Sequence, residues 1–184
     1  MADRKVLVIL AEGFEEVEAM APIDVLRRCG AAVTVAGLGS LQIKGAHGVP
    51  VVCDSLLDDV ASVAYDAIVL PGGMPGAANL HASSIVNDIV KKTFKRGSYV
   101  CAICASPAFV LAPTGILEKK RVTCYPGCEA VAPQVSFGKH RAVRDGNIIT
   151  AAGPGTALEF GLLIAEALFG TEASSKVHSD MICR

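Results

Sequence analysis

Tyr99-Val100-Cys101-Ala102-Ile103 is an apolar run of strand length, and Pro107-Ala108-Phe109-Val110-Leu111-Ala112, close behind it, opens a helix. Cys104, Ala105 and Ser106 stand at the hinge. A buried strand feeding directly into a helix is the repeating unit of an α/β fold, so this stretch sets the architecture. It also sets the chemistry. A thiol at Cys104 projects from a sharp turn near the N-terminal end of a helix. The dipole there favours the thiolate, which is the reactive form of cysteine.

The same alternation extends in both directions. Residues 5–11 read as a strand, 15–29 as a helix stopped by Gly30, 32–36 as a strand and 49–52 as a further extended segment. Asp66-Ala67-Ile68-Val69-Leu70 is an apolar strand ending in Pro71-Gly72-Gly73, and residues 84–95 form a helix with a charged outer face. Beyond the elbow, Arg121-Val122-Thr123 reads as a short strand. Residues 140–144 and 147–151 read as a hairpin joined by Asp145-Gly146. Thr156 is placed to cap a final long helix through Phe169, ended by Gly170. Continuous apolar strands alternating with helices predict a mainly parallel sheet covered on both faces. Ligands of such sheets sit beyond the carboxyl ends of the strands. Residues 11–18, 71–76 and 104–106 all follow strands and are therefore expected on one edge of the molecule.

With 184 residues, 52% hydrophobic and 19% charged, the chain suits one domain over residues 1–184 with a full core. A net charge of -1 without a basic stripe argues against nucleic acid as the main partner. No apolar stretch reaches the roughly 18 residues of a membrane span. Met1-Ala2-Asp3-Arg4-Lys5 runs straight into the first strand, with neither a secretory leader nor a lipidation box, so the cytoplasm is the expected compartment. Seven cysteines, an odd count in a chain with an ample core, read as reduced buried hydrophobes with one reactive member rather than a disulfide framework.

Three features meet at the expected edge. Glu12, Glu15, Glu16 and Glu18 are favourable charges at a helix start. A carboxyl among them that is desolvated beside a thiolate would instead hold its proton and donate it, making a Cys–Glu acid/base pair. Pro71-Gly72-Gly73-Met74-Pro75-Gly76 is a tight turn and has neither dinucleotide nor Walker spacing. Its Gly73 N–H, with that of Ala105, could form an oxyanion hole. The third feature is Cys104 itself. Other readings stand beside this one. Cys101 and Cys104 with Cys124 and Cys128 come close to zinc spacing, but Cys101 falls inside a strand. A thioredoxin-like pair needs its first cysteine at the helix start. Ser106 with His140 or His178 would suggest a serine hydrolase, without a Gly-x-Ser-x-Gly elbow. A cysteine protease of this architecture would carry His directly after the nucleophile, where this chain has Ala105.

Taken in order, Glu12-Gly13-Phe14-Glu15-Glu16-Val17-Glu18, Asp24-Val25-Leu26-Arg27-Arg28, Val69-Leu70-Pro71-Gly72-Gly73, Ala102-Ile103-Cys104-Ala105, Gly153-Pro154-Gly155-Thr156 and Glu159-Phe160 resemble the ThiJ/PfpI superfamily. Within it they are most similar to the Parkinson-disease-associated branch, known for protein deglycase and glyoxalase III activity. The resemblance implies a flavodoxin-like three-layer sandwich with a cysteine nucleophile elbow, no metal or organic cofactor, and a homodimer. It matches Cys104 to the family's reactive cysteine and Glu18 to its partner acid, supports Gly73 and Ala105 as backbone donors, and matches Cys53 to a non-catalytic cysteine near the dimer interface. Tyr125 stands where many members carry a histidine; tyrosine donates a hydrogen bond but is a poor base near neutral pH. Ala46-His47-Gly48 replaces a loop that carries an arginine in close relatives. The implied substrate is a small α-oxoaldehyde such as methylglyoxal, or an early glycation adduct of a protein. The alternative is a peroxide-responsive stress protein that uses oxidation of the same thiol. A chaperone role has no sequence signal.

Overall fold

The computed structural model describes residues 4–183; Met1–Asp3 and Arg184, the ends of the expected 1–184 domain, lie outside the described residues. The chain runs β1 (Lys5–Leu10), α1 (Glu16–Arg28), β2 (Ala32–Gly37), β3 (Gln42–Lys44), β4 (Pro50–Val52), β5 (Ser55–Leu56), α2 (Leu57–Val60), β6 (Ala67–Leu70), α3 (Gly76–Ala82), α4 (Ser84–Lys95) and β7 (Tyr99–Ile103). After an irregular helical segment come β8 (Ala142–Asp145), β9 (Ile148–Ala151), α5 (Ala157–Phe169) and α6 (Thr171–Asp180). The main sheet has the order β5-β2-β1-β6-β7-β9-β8 and is parallel except where β8 pairs with β9.

Alternation along each strand divides the core into two layers. Val6, Val8 and Leu10 of β1, with Val69, Cys101 and Ile103, face α1 and α5. Leu7 and Ile9, with Ile68, Leu70, Val100 and Ala102, face the opposite way, toward Val86, Ile89 and Val90 of α4. The period of two carries successive side chains to opposite faces, so strands apolar throughout are covered on both. This is the expected flavodoxin-like three-layer sandwich. Among the described residues, no helix is long and apolar enough to cross a membrane.

The first helix ends as its sequence implies. Gly30 takes φ +85°. Its N–H donates to Arg27 O at 3.0 Å, and Ala31 N–H donates to Leu26 O at 3.0 Å, the paired bonds of a Schellman motif. Other local expectations are corrected. Arg121-Val122-Thr123 makes only an isolated bridge, Val122 to Phe137, and not a strand. The β8–β9 turn is Gly146-Asn147, one residue later than expected, because Asp145 still pairs with Ile148. Thr156 lies at the start of α5, but its hydroxyl bonds to the backbone of Gly153 rather than to a helix N–H. The β3–β4 hairpin lies apart from the main sheet as a two-stranded unit.

Candidate active site

The chain leaves β1 toward β2 and β5 on one side, then returns to build β6, β7 and β9 on the other. This reversal is the topological switch point of an open sheet, where loops diverge and leave a crevice. The loops after β1, β6 and β7 meet there, as their order in the sequence implied. Glu15 N–H donates to Gly72 O at 3.0 Å, Gly76 N–H donates to Gly13 O at 3.2 Å, and the buried Ser106 hydroxyl donates to Pro71 O.

Cys104 is the elbow. It has φ +64°, a conformation a side-chain-bearing residue rarely adopts, which costs on the order of 1–3 kcal/mol and clusters at functional sites. Its N–H is held by Ala151 O at 2.9 Å, and its carbonyl accepts Tyr125 N–H at 2.8 Å. The helix behind it is not the regular one expected. Phe109 N–H reaches Ala105 O at 2.9 Å, but Pro107–Leu111 is a π-helical turn and Ala112–Thr114 a 3₁₀ turn. So short and irregular a helix carries little macrodipole. What acts on the sulfur is more local: the N–H groups of Gly73 and Ala105 lie against it and oppose the rise in the thiol pKa. Both groups, expected from sequence as donors to an oxyanion, lie beside Cys104.

Glu18 reaches the same point from the first turn of α1. Its side chain is fully buried, and Oε2 accepts Gly72 N–H at 2.8 Å. A Cβ placed on Gly72 would stand 2.6 Å from Cys104 Cβ, 2.8 Å from Glu18 Oε2 and 3.0 Å from Ala105 N. Only glycine fits in that gap, and the gap brings acid and thiol together. The Glu18 carboxyl interacts with the Cys104 thiol, although Oε1 makes no hydrogen bond of ordinary geometry. Burial raises the Glu18 pKa from 4.5 to about 7; the contacts with Cys104 and Gly72 oppose the rise, and the Glu15 charge adds to it.

Burial also raises the Cys104 thiol, as does an ionised Glu18 beside it. This differs from the simple expectation of a thiolate stabilised at a helix start. The two groups are too close to titrate independently, and they lose protons as a pair. One proton leaves near neutral pH, and the other stays. If Glu18 keeps it, the repulsion from an ionised Glu18 is removed, while burial, the larger cause, still opposes the thiolate. The arrangement is able to set a sulfur against a carboxylic O–H and two backbone N–H groups.

The other thiols lack these donors. Burial raises Cys29, Cys53, Cys101, Cys124 and Cys128, with Cys124 reaching about 12. All seven cysteines are free. Cys101 and Cys124 belong to core layers on opposite faces of the sheet, so the zinc spacing does not become a four-thiol cluster. Ser106 spends its hydroxyl on Pro71, and His178 lines a different cleft, of about 730 Å³, between α5, α6 and β8. Cys104 does not line that cleft. Tyr125 is anchored to the elbow through its backbone, while its ring lies over Gly153 and is 47% exposed.

The loop 45–48, without an arginine, presents His47. Its Nδ1 lies 3.0 Å from Glu16 Oε2 and 3.6 Å from Glu15 Oε2. The hydrogen bond to Glu16 and the charges of Glu15 and Glu16 raise the His47 pKa. Burial works to raise Glu16, but the bond from its own backbone N–H, with those from His47 and Val49, outweighs it and holds that carboxyl below its ordinary value. Potential ligand atoms of Glu15, Glu16 and His47 lie within 4.8 Å of one another, an arrangement able to hold a cation. The role of Gly72 was not foreseen from sequence, although the paired glycines after an apolar strand were its signal.

A sequence model of the DJ-1/PfpI family matches residues 4–167. The chain belongs to the DJ-1/PfpI family. It is 41% identical to the Parkinson disease protein 7 homolog of Danio rerio over the whole of both chains. It is 44% identical to Protein DJ-1 homolog B of Arabidopsis thaliana over 91% of this chain, which spans only 39% of that longer relative. The glutathione-independent glyoxalase DJR-1.2 of Caenorhabditis elegans is 35% identical, over 96% of this chain and 95% of its own length. Among solved structures, oxidized DJ-1 of Toxoplasma gondii superposes with a TM-score of 0.94 at 37% identity, covering 97% of this chain and 98% of that one.

Proposed function

We propose that this DJ-1/PfpI member is a cofactor-independent glyoxalase or deglycase. It would convert methylglyoxal-type α-oxoaldehydes, or their early adducts on proteins, to 2-hydroxy acids. The observation that carries the reading is the meeting around Gly72 of the Cys104 sulfur, a buried carboxyl with a pKa near neutrality, and two N–H donors. A relative of similar length carries the name of a glutathione-independent glyoxalase.

The chemistry follows from the pair. Cys104 thiolate adds to the aldehyde carbon, and Glu18 gives its proton to the new alkoxide, forming a hemithioacetal. The Gly73 and Ala105 N–H groups hold the oxygen while it is negative. Glu18, now a carboxylate, removes the proton from the former aldehyde carbon to give an enediolate. Returning that proton to the neighbouring carbon, while the proton of the C1 hydroxyl passes to the C2 oxygen, leaves a thioester of the 2-hydroxy acid. Water then cleaves the thioester and restores the thiol. The sequence is an isomerisation followed by hydrolysis, so no electron carrier enters. Lactate release from methylglyoxal tests it: Cys104→Ala should abolish the activity, and equal rates in parent and variant would reject the nucleophile.

A second reading uses the same atoms. A hydroperoxide would transfer one oxygen to the thiolate to give a sulfenate, and a second equivalent would give a sulfinate. A protonated Glu18, whose Oε1 has no partner, and the two N–H groups suit the added oxygens. Glu18→Gln separates the readings, since it should cut turnover strongly while leaving sulfinate formation largely intact. We further propose a cytoplasmic homodimer. Seven unpaired thiols suit a reducing compartment. Exposed Val17 and Met20 on α1, with Val49 and Val52 of the nearby hairpin segment, offer an apolar face.

A further inference from the structure

Two thiols near the elbow, Cys124 and Cys128, have no part in the chemistry above. The loop that carries them returns to Cys104. Tyr125 N–H donates to Cys104 O at 2.8 Å, and Cys128 N–H donates to Tyr125 O at 2.9 Å, so two hydrogen bonds in series lead from the elbow to Cys128. The turn that Cys128 opens, Cys128–Val131, packs against Pro107–Leu111, the segment that follows the elbow. From Tyr125 to Val131 every residue is exposed except Cys128, which is half-buried. Of the seven cysteines it is the one packed against both core layers, including the layer that holds Cys104 and Ala105. Cys124 lies in the opposite layer. Burial and then the Glu18 charge raise the Cys104 thiol; burial, the Glu129 charge and the Glu18 charge raise Cys128. Glu18 is thus within electrostatic reach of both sulfurs. A half-buried cysteine alone is a small apolar anchor. This one stands beside a second thiol at a strained turn.

We propose that Cys128 is the resolving thiol of Cys104, so that oxidation by a hydroperoxide ends in a reversible Cys104–Cys128 disulfide instead of a sulfinate. In the first step the Cys104 thiolate takes one oxygen of the hydroperoxide. The O–O bond breaks, water or an alcohol leaves, and the sulfur becomes a sulfenic acid. The Cys128 sulfur then attacks the Cys104 sulfur. An S–S bond forms and the S–O bond breaks, and the sulfenic hydroxyl leaves with the Cys128 thiol proton as water. Two thiols have then given two electrons to one peroxide. A small thiol returns the pair to its starting state by exchange. A disulfide needs Cα atoms within about 7 Å. The loop 125–131 is bonded to the elbow at one end and exposed elsewhere, which leaves Cys128 free to close that distance. The inference rests on the peroxide reading of Cys104 and not on the glyoxalase chemistry.

The test is oxidation of the reduced full chain by hydrogen peroxide, read by mass from peptides digested without reductant. With about 0.1 mM peroxide, a thiol tethered at an effective concentration on the order of 1 mM should outrun the second oxidation about tenfold. The parent should give the linked Cys104–Cys128 peptides, and Cys128→Ser should raise the Cys104 sulfinate about tenfold at equal exposure. Cys124→Ser should keep both the link and the low sulfinate level. Cys104 that passes to sulfinate equally in parent and Cys128→Ser, with no linked peptide, leaves the peroxide reading standing and overturns this inference. A link that joins Cys124 to either of the other two thiols in place of the expected one also overturns it. If Cys128→Ser does not fold, the presence or absence of the Cys104–Cys128 link in the parent decides. Cys104 that gains no oxidised form at all rejects the peroxide reading and this inference with it.

Discussion

Replacing Glu18 by glutamine removes one titrating group from the core and should change how stability depends on pH. The carboxyl stands at 4.5 ordinarily and at about 7 in the fold, chiefly through burial. The folded protein therefore binds this proton more tightly than the unfolded chain does. The resulting stabilisation is complete below about pH 4.5 and is lost as pH rises through about 7. At about 1.4 kcal/mol per pKa unit, the whole effect is roughly 3–4 kcal/mol. It concerns the first proton to leave the Cys104–Glu18 pair, so it holds whichever atom keeps the second. Urea unfolding of parent and Glu18→Gln at about pH 5 and about pH 8 reads it, because the other carboxylates cancel in the comparison. The parent should lose about 2–3 kcal/mol more than the variant between those two values. A parent–variant difference that is the same at both would refute the claim that burial holds the Glu18 proton.

Gly72→Ala puts a methyl group into the gap between Cys104 and Glu18, so it should cost about 1–3 kcal/mol and suppress iodoacetamide labelling of Cys104 in a chain that still folds; parental labelling would show that the gap can open freely. Ser106→Ala removes the hydroxyl that donates to Pro71 O and leaves that oxygen without this bond, at a cost of about 1–3 kcal/mol in thermal or urea unfolding. Its turnover of methylglyoxal should stay within about twofold of the parent, whereas a serine nucleophile's variant would lose it. Val17→Glu, on the exposed apolar face of α1, should weaken self-association about a hundredfold in sedimentation equilibrium. A dimer of unchanged affinity would place the interface elsewhere.

The parallel sheet was legible because the strands around Val8, Val69 and Cys101 are apolar on both faces, a pattern that a half-exposed strand cannot show. The end of α1 was legible because Gly30 alone decides it. The β3–β4 hairpin was not. Gln42-Ile43-Lys44 is too short for periodicity to register, and side chains distant in sequence, Glu12 and Glu16, hold it in place. The elbow was read correctly as a turn but not as the start of a π-helical segment, because that hydrogen-bond shift leaves no periodic trace over so few residues. At the site, residue types and spacing pointed to Cys104, Gly73 and Ala105. Choosing Glu18 from four glutamates needed either the family resemblance or the position of Gly72, since four neighbouring acids at one helix start look alike in one dimension.

The sulfur depends on partners that are made at different times. Glu18 and Gly72 precede Cys104 in synthesis, but the carbonyl of Ala151, which holds the Cys104 N–H, and the helix α5, which packs against α1, come later. While the chain is still emerging from the ribosome, Cys104 is one ordinary thiol among several, with neither its acid nor its fixed N–H donors. If Cys104 is the nucleophile proposed above, its reactivity waits on completion of the fold, an interrupted chain carries only an ordinary thiol there, and the labelling rate of this one side chain doubles as a report that β9 has docked.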